Sequence, residues 1–205
     1  MASANQRHNA RSLFDLNIQS AEDCLNLSKG LSAVRTTMNT DWLLRAAIVF
    51  IVSALDTYFH DKIKYSVGNY TLAKLPNALA KFQVSLSQLN EWQSAERKGN
   101  VLRNWVTEYY SVRPLQSQSA IAEALKLIGI EGFWDSIEKD STKQKKLKDD
   151  FGALVKRRNQ IAHEGDREAS RGSGKKLRKI TEEEIQSWID WTKSFIHAVE
   201  KKHPT

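Results

Sequence analysis

Between Leu43 and Leu55 the chain reads LLRAAIVFIVSAL, a run apolar nearly all the way round a helix, and this run constrains the fold most. Arg45 interrupts it, and it falls short of the roughly 20 apolar residues that span a bilayer. It is therefore expected as a core helix with no membrane involved. A helix without a polar face has to be covered by neighbours on every side, and the rest of the chain supplies them as amphipathic helices. Asn39 and Thr40 mark its start, and it should run to about Tyr65.

Three further segments carry the 3.6-residue recurrence of an apolar stripe. From Arg11 to about Met38 the positions are Leu13, Phe14, Ile18, Ala21 and Leu25, with Gly30 a candidate break. From Ser141 to Asp166 they are Leu147, Phe151, Leu154, Val155, Ile161 and Ala162, behind a capping-box spacing at Ser141 and Gln144. The last helix opens with Thr181 and Glu184 in the same spacing and Ile180 with Ile185 as a hydrophobic staple. Its stripe runs from Ile185 to Val199, with His197 and His203 expected at the surface. Nothing reads as a strand, so the fold class is all-α.

Residues 1–10 form a polar tail, and 11–205 read as one domain. Its core is 11–65 and 141–202. Residues 66–140, divided by Gly68, Pro76, Gly99, Pro114, Gly129 and Gly132, form a helical insertion whose aromatics, Trp92, Trp105, Phe133 and Trp134 among them, favour a core role over base stacking. Residues 165–180 are a basic, glycine-bearing loop, expected to be mobile without a partner. The net charge of +7 and a pI near 9.4 favour an acidic partner, nucleic acid first. Cys24 is the sole cysteine, which excludes an intrachain disulfide and a cysteine zinc site and suits a reducing, cytoplasmic setting. No secretory signal is evident in MASANQRHNARS. No phosphate-cradling glycine loop, paired zinc histidines or Gly-x-Ser-x-Gly elbow occurs, so no metal and no cofactor is expected.

The chemistry concentrates near His163. Arg158 falls inside the apolar stripe of its helix and needs a partner or a cavity. His163, five residues on at about 100° per residue, points well away from it. One helix cannot easily aim both at a single point.

The segment Leu154-Val155-Lys156-Arg157-Arg158-Asn159-Gln160-Ile161-Ala162-His163-Glu164-Gly165-Asp166 resembles the end of the motif helix in the HEPN superfamily. Ribonucleases of that family carry Arg, four to six residues, then His, often with Asn after the Arg. Ser53 to Phe59 is similar to the family's second helix, where an acidic residue, here Asp56, faces the motif. The resemblance implies a HEPN-type helical bundle with the insertion added. It further implies a homodimer that pools two copies of Arg158 and His163 for metal-independent RNA cleavage, giving 2′,3′-cyclic phosphate and 5′-OH ends. Arg158 would bind phosphate, His163 act as acid or base, Asn159 orient the site, and Asp56 position Arg158 or His163. Arg157 also stands at a permitted spacing, although Arg158 beside Asn159 fits the family better. Arg157, Arg167, Arg171, Lys175, Lys176 and Arg178 are candidate RNA contacts. The resemblance suggests a toxin or anti-phage effector and leaves room for a regulatory protein partner. The alternative is a non-catalytic HEPN module for protein interaction or nucleic-acid binding. Without a family, Asp56 reads equally well as facing water, and His163 as a complement to the helix dipole.

Overall fold

The computed structural model describes residues 9–34, 39–71, 74–168 and 175–204. Among these the chain is all-α, and its only β pairing is an isolated antiparallel bridge between Arg167 and Leu177. The helices are α1 (Ala10–Ala33), α2 (Asp41–Val67), α3 (Asn77–Ala80), α4 (Leu86–Ser94), α5 (Lys98–Ser111), α6 (Gln118–Lys126), α7 (Phe133–Ile137), α8 (Ser141–Glu164) and α9 (Glu182–Lys202). Four long ones, α1, α2, α8 and α9, make the bundle, and α2 runs through its middle in contact with the other three.

By length and composition α2 could cross a membrane, yet Ala47, Ile48, Ile51, Ala54, Leu55 and Phe59 are all buried against neighbouring helices. It is the core helix that its all-round apolar sequence requires. α1 lies along it and does not break at Gly30, where a Cβ would meet nothing. One exposed glycine costs a helix about 1 kcal/mol. The Phe14, Ile18, Ala21 and Leu25 stripe, fully buried, outweighs that.

The segment between α2 and α8 folds back on the bundle. α5 and α6 pack on α2, and α7 reaches α8 and α9. Phe133 and Trp134 of α7 enter the core, where Trp134 stacks on Phe195 with ring centroids 5.9 Å apart. Their aromatic character therefore serves packing, as expected from their spacing.

The cap differs from expectation at the start of α8 and agrees with it at α2 and α9. α8 is capped by Asp140, whose carboxylate accepts from the Lys143 amide at 2.9 Å. Ser141 makes no box with Gln144, which donates instead to Asp135 and the Glu138 carbonyl. The shift by one residue puts a full negative charge at the positive helix end. At α2 the Thr40 side chain does not cap, and Asn39 Oδ1 accepts from the Asp41 amide. Thr181 caps α9 as expected, accepting from the Glu184 amide with Ile180 and Ile185 both buried.

The far end of α9 is fixed by a buried ammonium. Lys62 donates to Glu200 at 3.1 Å and to the His203 carbonyl, while Tyr58 Oη donates to the same carboxylate. Burial pushes the Lys62 pKa down, and Glu200 opposes the shift. His197 is exposed as expected. His203 is not at the surface, because its ring is half-buried and lies 2.7 Å from Ser136 Oγ.

Candidate active site at the end of α8

α8 ends at Gly165, which takes a left-handed conformation (φ 60°) that costs a residue without Cβ little. Asp166 follows, also at positive φ, and its amide donates to the Gln160 carbonyl. This double turn throws the Asp166 carboxylate back into the protein, where the residue is 0% exposed. Two arginines meet it there. Arg157 engages both carboxylate oxygens, and Arg45 Nε donates to Oδ2 at 2.7 Å.

This knot reaches well beyond the three residues. Arg157 also donates to the Lys179 carbonyl and lies 3.8 Å from Glu184 at the start of α9. Arg45 donates to the Arg178 carbonyl, and Arg178 donates to Glu164 at 3.2 Å. The basic segment is held at its base by these contacts and by backbone bonds from Arg178 to Asp166 and from Glu168 to Lys176. The expected mobility therefore does not describe its two described flanks. Residue 171 lies outside the described residues, so the expectation for Arg171 falls there too.

Arg158, one position and about 100° round from Arg157, has a different environment. Its Nη1 donates to the neighbouring Asn159 Oδ1 at 3.0 Å, and its Nε is buried without a partner. No carboxylate among the described residues lies within ion-pair distance of it. His163 is exposed in the last turn of α8 and makes no hydrogen bond or ion pair with a described residue. A cation there complements the negative helix end. As their spacing demands, the two side chains leave α8 in different directions.

The remaining candidates divide by what they touch. Asp56 contacts neither Arg158 nor His163, which corrects its expected positioning role. Its Oδ1 accepts from the Leu115 amide at 2.6 Å, with the His60 ring 3.7 Å away. Arg157 and Arg178, expected on RNA, are engaged within the chain: Arg157 is committed to Asp166, and Arg178 Nη2 donates to Glu164 while its Nη1 is buried without a partner among the described residues. Lys176 is exposed and pairs with Glu168 at 3.0 Å, Lys175 is exposed, and Arg167 is exposed with interactions of its own. No cluster of three or more metal-ligating side chains occurs among the described residues.

The match to the family RiboL-PSP-HEPN covers residues 16–202, nearly the whole chain. The chain belongs to the RiboL-PSP-HEPN family. HEPN domains are all-α, as this one is. No curated protein and no solved structure matches it.

Within this HEPN chain, the Arg45 and Asp166 pair was not singled out from sequence, although a signal existed. An arginine inside an otherwise apolar core helix must be neutralised by something. An Asp directly after a glycine helix stop is well placed to turn inward. A second feature lies along the outer side of α2, where Trp42 is 56% and Phe50 41% exposed, with Ala46 and Val49 half-buried between them and Ser53 half-buried just beyond. Arg45 ties this stretch to the end of α8, so the apolar strip and the Arg158 to His163 turn share one end of the bundle.

Proposed function

We propose that the protein is a metal-independent endoribonuclease that works as a homodimer, with two copies of Arg158 and His163 around one scissile phosphodiester. The observation that carries this reading is that, among the described residues, Arg158 and His163 have no carboxylate partner in a turn where Arg45, Arg157 and Arg178 each meet one. The Arg158 guanidinium, left without an acid among the described residues, suits a ligand that brings negative charge. The exposed strip of Trp42 and Phe50 on α2 supports a second copy docking at this end, since large apolar side chains are better covered than wetted.

The chemistry follows from the side chains. One His163 takes the proton of a ribose 2′-OH as its oxygen attacks phosphorus. The P–O5′ bond breaks, and the second copy's His163 gives a proton to the departing 5′ oxygen. Arg158 presents a planar fork to the phosphate oxygens as charge gathers there. The products are a 2′,3′-cyclic phosphate and a 5′-OH end. A two-fold axis removes the difficulty that Arg158 and His163 of one chain diverge, because each can work with its counterpart's partner.

The test is cleavage of total cellular RNA in EDTA by the wild type against His163→Ala. Cyclic-phosphate ends from the wild type alone are expected, and a folded dimer that cuts no RNA overturns the reading. A toxin or anti-phage role predicts growth arrest on expression of the wild type and none with His163→Ala. The divergence of Arg158 and His163 within one chain also favours a second reading, a non-catalytic HEPN module. A protein that is monomeric in solution, or whose dimer holds the two turns apart, would decide for it.

A further inference from the structure

The face of α8 that bears Asn159 does not end in open solvent. A groove of about 600 Å³ runs between it and residues 116–119 at the entry to α6, with Phe151, Gly152 and Val155 as its floor. Such a volume is in the range that holds small ligands or parts of larger ones. Resting on the ribonuclease reading, we propose that this groove receives the nucleobase next to the scissile phosphate of single-stranded RNA and sets the base preference of cleavage.

The lining has the chemistry of a base reader. Gln116 on one wall and Gln160 on the other have side-chain amides free of described partners, and each offers a donor and an acceptor that can match a base edge. The floor is apolar and lacks a side chain at Gly152, where a Cβ would meet only Gln118 Nε2 at 3.8 Å. A flat ring can therefore settle over Val155 and Gly152. The one carboxylate in the lining, Glu164, is met by Arg178, and its presence disfavours seating a phosphate in the groove itself.

The wall opposite α8 is held in place before any ligand arrives. Asp56 fixes the Leu115 amide, Leu115 is buried, Trp134 Nε1 donates to the Gln118 carbonyl at 3.1 Å, and Gln118 Nε2 donates to the Lys148 carbonyl at 2.8 Å. A rigid wall discriminates better than a loose one. Asp56 thus acts on the groove through residues 115–119.

The groove also points at the chemistry. Asn159 lines it and accepts from Arg158, and His163 stands one turn further on the same face, three residues past Gln160. Neighbours at that spacing lie about 5–6 Å apart at Cβ. A base in the groove therefore leaves its flanking phosphate beside the imidazole.

Two experiments test this. In the first, single-stranded RNA carrying 4-thiouridine is photo-crosslinked to His163→Ala protein and the adducts mapped, with attachment expected within residues 116–119 or 152–160. In the second, Gln116→Ala, Gln160→Ala and the groove-filling Gly152→Leu are assayed for their cleavage maps, with melting temperature as the check on folding. Each should lower kcat/KM at preferred sites about tenfold and flatten the base preference beside the cut. RNA cleavage with an unchanged map in all three folded variants overturns the groove and leaves the nuclease. Groove crosslinks in the His163→Ala protein, with a wild type that cuts nothing, retain the groove as an RNA site and overturn the nuclease. Neither cleavage nor groove crosslinks removes both.

Discussion

Arg157 and Arg158 are neighbours in sequence, yet they sit in opposite electrostatic situations. Arg157 faces a buried carboxylate, a carbonyl and a second acid, and Arg45 approaches the same Asp166 from α2. Among the described residues, Arg158 has only the side-chain amide oxygen of Asn159, and its buried Nε finds no acceptor. The comparison teaches how one helical turn can close a fold and keep a reactive surface. Residues 100° apart on a helix answer to different neighbours, so charge on one side is consumed by structure while charge on the other is left over.

The largest effect expected from breaking the tied side is on stability. Asp166→Asn keeps a side chain that tolerates positive φ but removes the charge two arginines share. It should cost about 3–5 kcal/mol, because it removes the nearest negative charge from two largely buried guanidinium groups and leaves only Glu184, 3.8 Å from Arg157, and Asp41, 3.7 Å from Arg45. Urea unfolding measures this, and Arg157→Ala should fall in the same class. A loss below about 1 kcal/mol for both would mean that the knot is ornamental and the contrast false.

On the untied side the same substitutions should leave folding intact and remove activity. His163→Ala and Arg158→Ala are expected to lower RNA cleavage at least about a hundredfold, equivalent to ~2.7 kcal/mol of barrier. Urea midpoints close to wild type would sharpen the comparison. If Arg158→Ala unfolds the protein as readily as Arg157→Ala, then Arg158 is structural too.

How much of this was legible in the sequence depends on which interactions are local. The helices follow from periodicity, and α2 as the core helix follows from LLRAAIVFIVSAL alone. The last-turn placement of His163 was readable for the same reason. The partners of Asp56, Arg45 and Arg157 were not, because they come from residues distant in the chain or turned inward by a left-handed stop. Asp56 shows the limit most clearly. Its acidity and position in the second helix fitted the motif by resemblance, but Leu115 of the middle segment takes its carboxylate. The cap at Asp140 was missed for a smaller reason, since Asp140 and Ser141 are both good caps one residue apart.

A milder perturbation tests whether the groove face of α8 is shaped for a ligand or for stability. Gly152 sits mid-helix with room for a methyl group. Gly152→Ala should therefore stabilise the protein by about 0.5–1 kcal/mol, visible as a higher melting temperature. A stabilising change available at so small a step fits a position kept open for binding. A destabilising result would instead show that the surrounding packing requires glycine there.

The smallest effect concerns His203, a histidine tied into the fold. His203 is half-buried against Ser136, and burial, then Lys62 and Lys202, lower its pKa below the usual histidine value. The folded state therefore favours the neutral ring. Between the lowered folded value and the ordinary value near 6.5 the unfolded chain binds more protons, so stability rises with pH across that window. The contribution is complete above about pH 6.5 and is lost as pH falls through the folded value. Because the ring is only partly buried and solvent screens it, a shift of a few tenths of a kcal/mol is the expected scale. His203→Gln should flatten this part of the stability profile. A profile that keeps its slope in the folded His203→Gln protein would show that the linkage belongs to another group.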